Sequence, residues 1–339
     1  SLSPAIKANL ARLGYTTPTP IQEQTVFPAM DKRDVLGIAG TGTGKTAAFL
    51  IPIISQLLED QKKTKALVVV PTRELALQVD REFQQLSKGM QLKASCFIGG
   101  TKIHTDLNRL RKLNHIIIGT PGRLLDLANR RALKLNDFST LVLDEFDRML
   151  DMGFLPDVQK ILAAMSSRQQ TMFFSATIEK SHRKLIGEIL TNPVEAYVSQ
   201  GHSASEQVQQ EVIRLENGSK KFDVMLDMIR EDHFKKVLIF AETKRVVNQL
   251  DKQLFQSGIK CDVIHGNKTQ NYRVKALKKF TDGKVQVLVA TDVAARGLDV
   301  SDVSHVINYQ LPRTMDSYIH RIGRTGRAGK QGTAITFVD

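Results

Sequence analysis

Short aliphatic and β-branched runs, each bounded by turn residues, recur along the chain. They predict buried strands at Val35–Ile38, Ala66–Val70, Cys96–Ile98, Ile116–Ile118, Thr140–Leu143 and Thr171–Phe174. Between them, apolar residues return at helical spacing over Thr46–Leu58, Arg73–Leu86 and Leu155–Met165. Strand, helix, strand, helix is the order of a parallel sheet covered on both faces, because parallel neighbours need a long crossover between them. The pattern lapses over Ser199–Gln210, which is polar, contains Gly and Ser, and reads as an exposed linker. A second alternating series follows, with strands at Glu211–Leu215, Val237–Phe240, Cys261–Ile264, Val285–Val289, His305–Asn308 and Thr333–Val338 and a helix over Thr243–Gln256. The expectation is an α/β protein of two tandem domains, each a mainly parallel sheet flanked by helices, over residues 1–200 and 211–339 with a linker at 201–210.

The length of 339 residues supports the same division, since it exceeds what one hydrophobic core usually serves. Charge adds a partner. Lysine and arginine total 48 against 35 acids, a net +13, which excludes an acid-rich disordered chain and points to a polyanion. Residues 1–200 carry 26 basic and 19 acidic side chains and residues 201–339 carry 22 and 16, so a basic surface is expected across both domains. Cys96 and Cys261 lie far apart with no C-x-x-C, which offers neither a disulfide framework nor a cysteine zinc site. A reducing, intracellular and cytoplasmic setting is expected. No apolar run reaches the roughly 18 to 20 residues of a spanning helix, so no membrane association is expected. His104, His115, His182, His202, His233 and His305 show no metal-ligand spacing and receive no role.

Chemistry enters after the first strand, at Ala39-Gly40-Thr41-Gly42-Thr43-Gly44-Lys45-Thr46. Glycines let consecutive backbone N–H groups point at phosphate oxygens, and the following helix adds its positive dipole end. Lys45 reaches the outer phosphates and Thr46 can bind Mg²⁺. Only Ala39, in place of the pattern's first glycine, departs from a Walker A loop. Leu141-Val142-Leu143 then runs into Asp144-Glu145-Phe146-Asp147, which puts carboxylates at the C-terminal end of a buried strand, where open α/β sheets bind ligands. Alone, an acidic quartet is more often a solvated turn. After a phosphate loop it reads as a Walker B element, with Asp144 placed to hold Mg²⁺ and Glu145 to orient the attacking water. Arg321, Arg324 and Arg327 suit diffuse phosphate charge, since a guanidinium stays protonated and donates bidentately, although a solvated basic helix end is the plain alternative. Thr72, Arg73, Thr120 and Arg123 are equally loop caps and surface charges or contacts to phosphate and sugar. With 6% aromatics and no tryptophan, stacking on an aromatic platform is not expected to dominate, and sequence specificity should be weak.

Taken in order along the chain, these motifs resemble the DEAD-box family of superfamily 2 RNA helicases. Gly14-Tyr15 and Pro18-Thr19-Pro20-Ile21-Gln22 resemble the family's Q motif, in which Tyr15 would stack on adenine and Gln22 would read its edge. Alanine at the first Walker position is usual in that family. Pro71-Thr72-Arg73-Glu74-Leu75-Ala76, Gly99-Gly100 and Thr120-Pro121-Gly122-Arg123 resemble its RNA-backbone contacts, and Ser175-Ala176-Thr177 the motif that bonds the last Walker B aspartate, here Asp147. In the second domain Gln270 and Arg273, after His265-Gly266, and Thr291 match RNA contacts, and Asp299 matches a ribose contact. His320-Arg321-Ile322-Gly323-Arg324-Thr325-Gly326-Arg327 resembles the motif whose Arg324 and Arg327 act as fingers on the γ-phosphate, with His320 in the coupling network.

The resemblance implies two RecA-like domains, ATP and Mg²⁺ as cofactors, and single-stranded or duplex RNA held largely through its backbone. Domain closure would gate RNA-stimulated ATP hydrolysis and local unwinding, and a monomer is expected, its protein partners unspecified. Glycines Gly42 and Gly44 would line the nucleotide with Lys45 and Thr46. A DNA-directed translocase of the same superfamily and a clamp that binds ATP and RNA but hydrolyses poorly are the rival readings. Phe146 stands where the family's name-giving motif has alanine. In an extended segment it would share a face with Asp144, leaving Glu145 and Asp147 on the other, and its bulk would either pack under the strand or shift Asp147 against Ser175 and Thr177. The chain is also expected to be a trimmed helicase core. It begins after the aromatic that the family places upstream of the Q motif and ends at Asp339, a little before the usual end of the second domain.

Overall fold

Runs such as Ala66–Val69 and Ile116–Gly119 are apolar on both faces, and a strand of that kind is stable only inside a parallel sheet with helices packed on each side. The computed structural model describes residues 2–40, 42–60, 65–178, 182–198, 208–215, 218–292, 303–312, 314–326 and 331–338, without the side chains of 270, 271 and 316. It divides into two compact units, residues 1–200 and 201–339.

The first unit opens with α1 (Pro4–Arg12) and α2 (Pro20–Met30), followed by β1 (Val35–Ile38), α3 (Lys45–Glu59), β2 (Ala66–Val69), α4 (Arg73–Leu86), β3 (Ala94–Phe97) and α5 (Ile103–Leu110). It continues through β4 (Ile116–Gly119), α6 (Pro121–Asn129), β5 (Thr140–Leu143), α7 (Phe146–Asp151), α8 (Leu155–Ala164), β6 (Gln170–Ser175), α9 (Arg183–Ile189) and β7 (Val194–Tyr197). The strands lie in the order β3-β4-β2-β5-β6-β1-β7, all parallel. Alternation along each strand feeds two core layers. Phe174 packs with Phe49 and Ile21 on one face, and Phe173 with Phe146 and Leu143 on the other.

The second unit runs β8 (Val208–Arg214), α10 (Lys221–Ile229), β9 (Val237–Phe240), α11 (Lys244–Gln256), β10 (Cys261–Ile264), α12 (Gln270–Thr281), β11 (Val287–Ala290), β12 (His305–Asn308), α13 (Met315–Ile322) and β13 (Gly332–Val338). Its order is β10-β11-β9-β12-β13-β8, again all parallel. Leu238, Phe240, Leu288 and Ala290 face one core layer, and Val237, Ile239, Val287 and Val289 the other.

Two elements depart from the sequence reading. β7 was not anticipated, and β8 begins at Val208 inside the predicted linker. Both are edge strands. β7 buries only Ala196 and β8 only its first residue, so backbone pairing with β1 and β13 holds them where no continuous apolar run does. Linker residues 201–207 lie outside the described residues. Because every strand in each sheet runs the same way, the loops after their C-terminal ends gather on one edge, and the candidate chemistry sits there.

Candidate active site

α3 starts from the phosphate loop. Gly42 and Gly44 take φ values of +83° and +88°. A Cβ at Gly44 would lie 2.4 Å from Gln22 Nε2, so glycine there is required by conformation and by space. Gln22, from the first turn of α2, is buried. Its Nε2 donates to the Gly44 carbonyl at 3.1 Å and its Oε1 accepts from Thr19 N at 3.0 Å, so α2 is tied directly to the loop. Lys45 is 8% exposed and donates from Nζ to the Ala39 carbonyl at 2.5 Å, while Thr43 Oγ1 bonds the Gly40 carbonyl at 2.8 Å. A buried ammonium at a helix N-terminus suits an incoming phosphate. Thr46, half-buried, follows it in α3. Tyr15, between α1 and α2, donates from its hydroxyl to Glu82 of α4 at 3.3 Å, and burial, reinforced by Glu82, pushes its pKa up to about 12.

β5 delivers Asp144, which is 2% exposed and whose Oδ1 accepts from Glu145 N at 2.9 Å. Burial pushes its carboxyl up to about 7, against the pull of Lys45, with Glu145 and Asp147 adding to the rise. A divalent cation would relieve that buried carboxylate. Among the described residues no group of three or more His, Cys, Asp or Glu side chains could hold a metal ion. The buried Asp144 carboxylate and the Thr46 hydroxyl are the oxygen donors that would suit Mg²⁺, which keeps several waters and takes one or two protein oxygens besides substrate phosphates.

The segment after Asp144 is not extended. Glu145 adopts φ +51° and ψ +49°, a left-handed conformation that costs a non-glycine residue about 1 kcal/mol or more, and α7 begins at once with Phe146. Phe146 therefore does not share a strand face with Asp144, and its bulk packs under the sheet without displacing Asp147. Phe146 turns into the core layer below the sheet, 2% exposed, with its ring 4.6 Å from that of Phe173. Asp147 stays free to pair: its backbone N–H donates to Ser175 Oγ at 3.2 Å, and its Oδ2 accepts from Thr177 N at 3.2 Å and Thr177 Oγ1 at 3.3 Å. Ser175 Oγ donates in turn to the Thr177 carbonyl at 2.8 Å. Sequence reasoning missed Arg148, whose Nη1 donates to Glu145 Oε2. Arginine three residues after glutamate in a new helix was the available signal.

The remaining first-unit candidates cluster on the loops after β2, β3 and β4. Thr72 caps α4 through Oγ1, which accepts from Leu75 N at 3.2 Å, and Thr120 occupies the same position before α6. Arg73 lies over Gly99 and Gly100. A Cβ on Gly100, whose φ is +82°, would come within 2.5 Å of Arg73 Nη1, so that glycine keeps the guanidinium against the loop. Arg123 is heavily engaged. It donates to the Ile98 carbonyl at 3.1 Å and the Thr101 carbonyl at 2.6 Å, and stands 3.6 Å from Asp106 and 3.7 Å from Asp126.

In the second unit Arg321 is 1% exposed, so it is no solvated helix end. Its Nε and Nη2 grip both oxygens of Asp292 at 2.5 and 2.7 Å, and Nη1 donates to Asn308 Oδ1 at 3.1 Å and the Gln310 carbonyl at 2.7 Å. This bidentate clamp docks α13 on the ends of β11 and β12. Arg324, one turn on, is buried and donates from Nε to the His320 carbonyl at 3.3 Å. Thr291, directly after β11, donates from N to the Ile264 carbonyl at 3.2 Å, and Arg273 lies half-buried in the first turn of α12. Arg327, Asp299 and the side chain of Gln270 lie outside the described residues. Burial pushes both thiols up to about 12, Cys261 with help from Asp251, which leaves neither suited to nucleophilic chemistry.

Two family models match the chain, a DEAD/DEAH box helicase domain over residues 19–185 and a helicase conserved C-terminal domain over residues 220–329. The chain is 42% identical over 338 residues to the DEAD-box ATP-dependent RNA helicase CshA of Bacillus subtilis, covering 100% of this chain and 68% of that protein. It is 42% identical over 337 residues to the ATP-dependent RNA helicase CshA of Listeria monocytogenes, covering 99% and 65%. Among solved structures, Mss116p bound to single-stranded RNA and AMP-PNP matches with a TM-score of 0.87 at 34% identity, over 99% of this chain and 72% of that one. Dbp5 of S. cerevisiae bound to RNA and ADP BeF3 matches with a TM-score of 0.86 at 29% identity, over 100% and 88%.

Proposed function

The chain belongs to the DEAD/DEAH box helicases, and from that premise we propose that its two units form an RNA-stimulated ATPase that unwinds short RNA duplexes or remodels RNA–protein complexes by closing on RNA. The observation that carries the reading is the wiring of Asp147 to Ser175 and Thr177 on the same sheet edge as Lys45 and Asp144.

In this reading the phosphates of ATP lie on the loop of Gly42, Gly44 and Lys45, where Lys45 exchanges the Ala39 carbonyl for phosphate oxygens. Gln22 reads the adenine edge and Tyr15 faces the base, Gln22 giving up its bond to Gly44 as it does so. Thr46 and Asp144 would hold Mg²⁺, which when bound offsets charge on the β- and γ-phosphate oxygens. Glu145 orients the attacking water. Arg324 and Arg327 belong to the second unit, so they reach the γ-phosphate only when the units close, and hydrolysis is gated by that closure. Asp299 contacts the ribose.

RNA is held through its backbone by Thr72, Arg73, Gly100 and Thr120 in the first unit and by Gln270, Arg273 and Thr291 in the second. Arg123, whose Nε and Nη2 fix the loop after β3, joins this surface as a further backbone contact. Since both ligands touch both units, each favours the closed state and each strengthens binding of the other. Asp147, Ser175 and Thr177 of the first unit, together with His320 of the second, couple closure to the hydrolytic groups. We assign the protein to the cytoplasm as a monomer; no described helix is long and apolar enough to cross a membrane.

Steady-state ATP hydrolysis at low, fixed salt, with and without a single-stranded RNA and its DNA counterpart, tests this. RNA is expected to stimulate strongly and DNA little. Equal stimulation by DNA would favour a DNA translocase, and tight RNA binding without turnover would favour a clamp.

A further inference from the structure

Arg148 is a buried cation that the proposed chemistry has not yet used. It sits in the first turn of α7, 5% exposed, and its Nη1 donates to Glu145 Oε2, while its Nε and Nη2 are buried without a hydrogen-bond partner among the described residues. Glu145 is the acid paired with it. Helix packing does not explain this residue, because a buried guanidinium with two unanswered donors is costly where an aliphatic side chain would fill the space. What arginine adds is a cationic donor, Nη1, held on the Glu145 carboxylate. Glu145 needs such a hold: it caps α7 in the left-handed conformation, and the bonds to its backbone, from Glu145 N to Asp144 Oδ1 and from Arg148 N and Met149 N to the Glu145 carbonyl, fix its main chain but not its side chain.

We infer that Arg148 is a positioning residue for hydrolysis, holding the Glu145 carboxylate in the one orientation from which it aligns the attacking water. The inference rests on the reading of Glu145 as the water-orienting group. Arg148 meets neither nucleotide nor RNA in this account, so its removal should act on turnover and leave ATP affinity in place. Misplacing a reacting group by an ångström costs up to about 10²-fold in rate.

The test is a double-mutant cycle on single-turnover ATP hydrolysis by the full chain at saturating ATP and RNA, with Arg148→Gln and Glu145→Gln alone and together. Arg148→Gln is expected to slow hydrolysis about 10-fold or more, with KM for ATP changed less than about 2-fold. In the Glu145→Gln background it should add almost nothing, because the group it positions has gone. Arg148→Lys, which keeps charge but not the rigid planar head that carries Nη1, should fall between. If Arg148→Gln does not fold, as judged by thermal unfolding, Arg148→Lys carries the same cycle. Unchanged hydrolysis in the folded Arg148 variant, or equal losses in both backgrounds, would overturn the inference while leaving Glu145 in its role. Full turnover by Glu145→Gln would strike Glu145 itself from the mechanism, and the positioning role with it.

Discussion

Arg324→Ala is expected to lower ATP turnover by about 10³-fold or more while changing nucleotide affinity far less. Charge in the transition state is the reason. The transferred phosphoryl group spreads negative charge over three oxygens, and a guanidinium brought to it supplies a fixed, always protonated fork; such fingers contribute about 10³ to 10⁵ in turnover. Arg324 follows α13, which Arg321 clamps to Asp292 and Asn308, so its backbone is rigidly presented, and its own Nε is steadied on the His320 carbonyl. Nucleotide binding rests mainly on the first unit, through Lys45 and the phosphate loop, and survives the loss. Arg324→Lys should recover little, because a point charge on a flexible stem does not reproduce the fork. Single-turnover hydrolysis together with titration of a fluorescent ATP analogue measures both quantities, and retained turnover would remove Arg324 from the site.

Phe146→Ala is the second large effect, and it falls on stability. The Phe146 ring is buried among Phe173, Leu143 and Met149, and truncating a buried phenylalanine costs about 3 to 5 kcal/mol through lost burial and the cavity left behind. The change installs the residue that the family's name-giving motif carries, yet this core is packed around the larger side chain. Hydrolysis per folded molecule should persist with its RNA stimulation intact, because Asp147 is held by Ser175 and Thr177 and not by Phe146. Urea unfolding of the full chain reports the first half of the expectation, and RNA-stimulated turnover below the transition reports the second. Unchanged stability with lost stimulation would mean that Phe146 acts on coupling instead.

The way sequence and structure agree follows from what pattern can carry. β2, β4, β5, β9 and β12 were legible because both faces of each are buried, which leaves an uninterrupted apolar run. β7 and the start of β8 were not, since an edge strand is held by backbone pairing that no side-chain pattern records. The phosphate loop was legible because its glycines are demanded by backbone geometry. The turn at Glu145 was not, because no glycine marks that left-handed residue, and with it went the true direction of Phe146. Arg321 and Asp292 lie 29 positions apart, and only the fold of the second unit makes them a clamp. Arg123 was legible by type and motif, but its bonds from Nε and Nη2 to the carbonyls of Ile98 and Thr101 depend on the fold of the loop after β3.

The central claim is that ATP and RNA act on one closing motion. It is tested most directly by the affinity of the chain for a labelled single-stranded RNA, measured by fluorescence anisotropy at fixed salt with and without AMP-PNP and Mg²⁺. The account predicts that RNA binds at least about 10-fold more tightly with the nucleotide present, and that RNA raises nucleotide affinity by the same factor, as linkage requires. RNA affinity that is the same with and without nucleotide would contradict it.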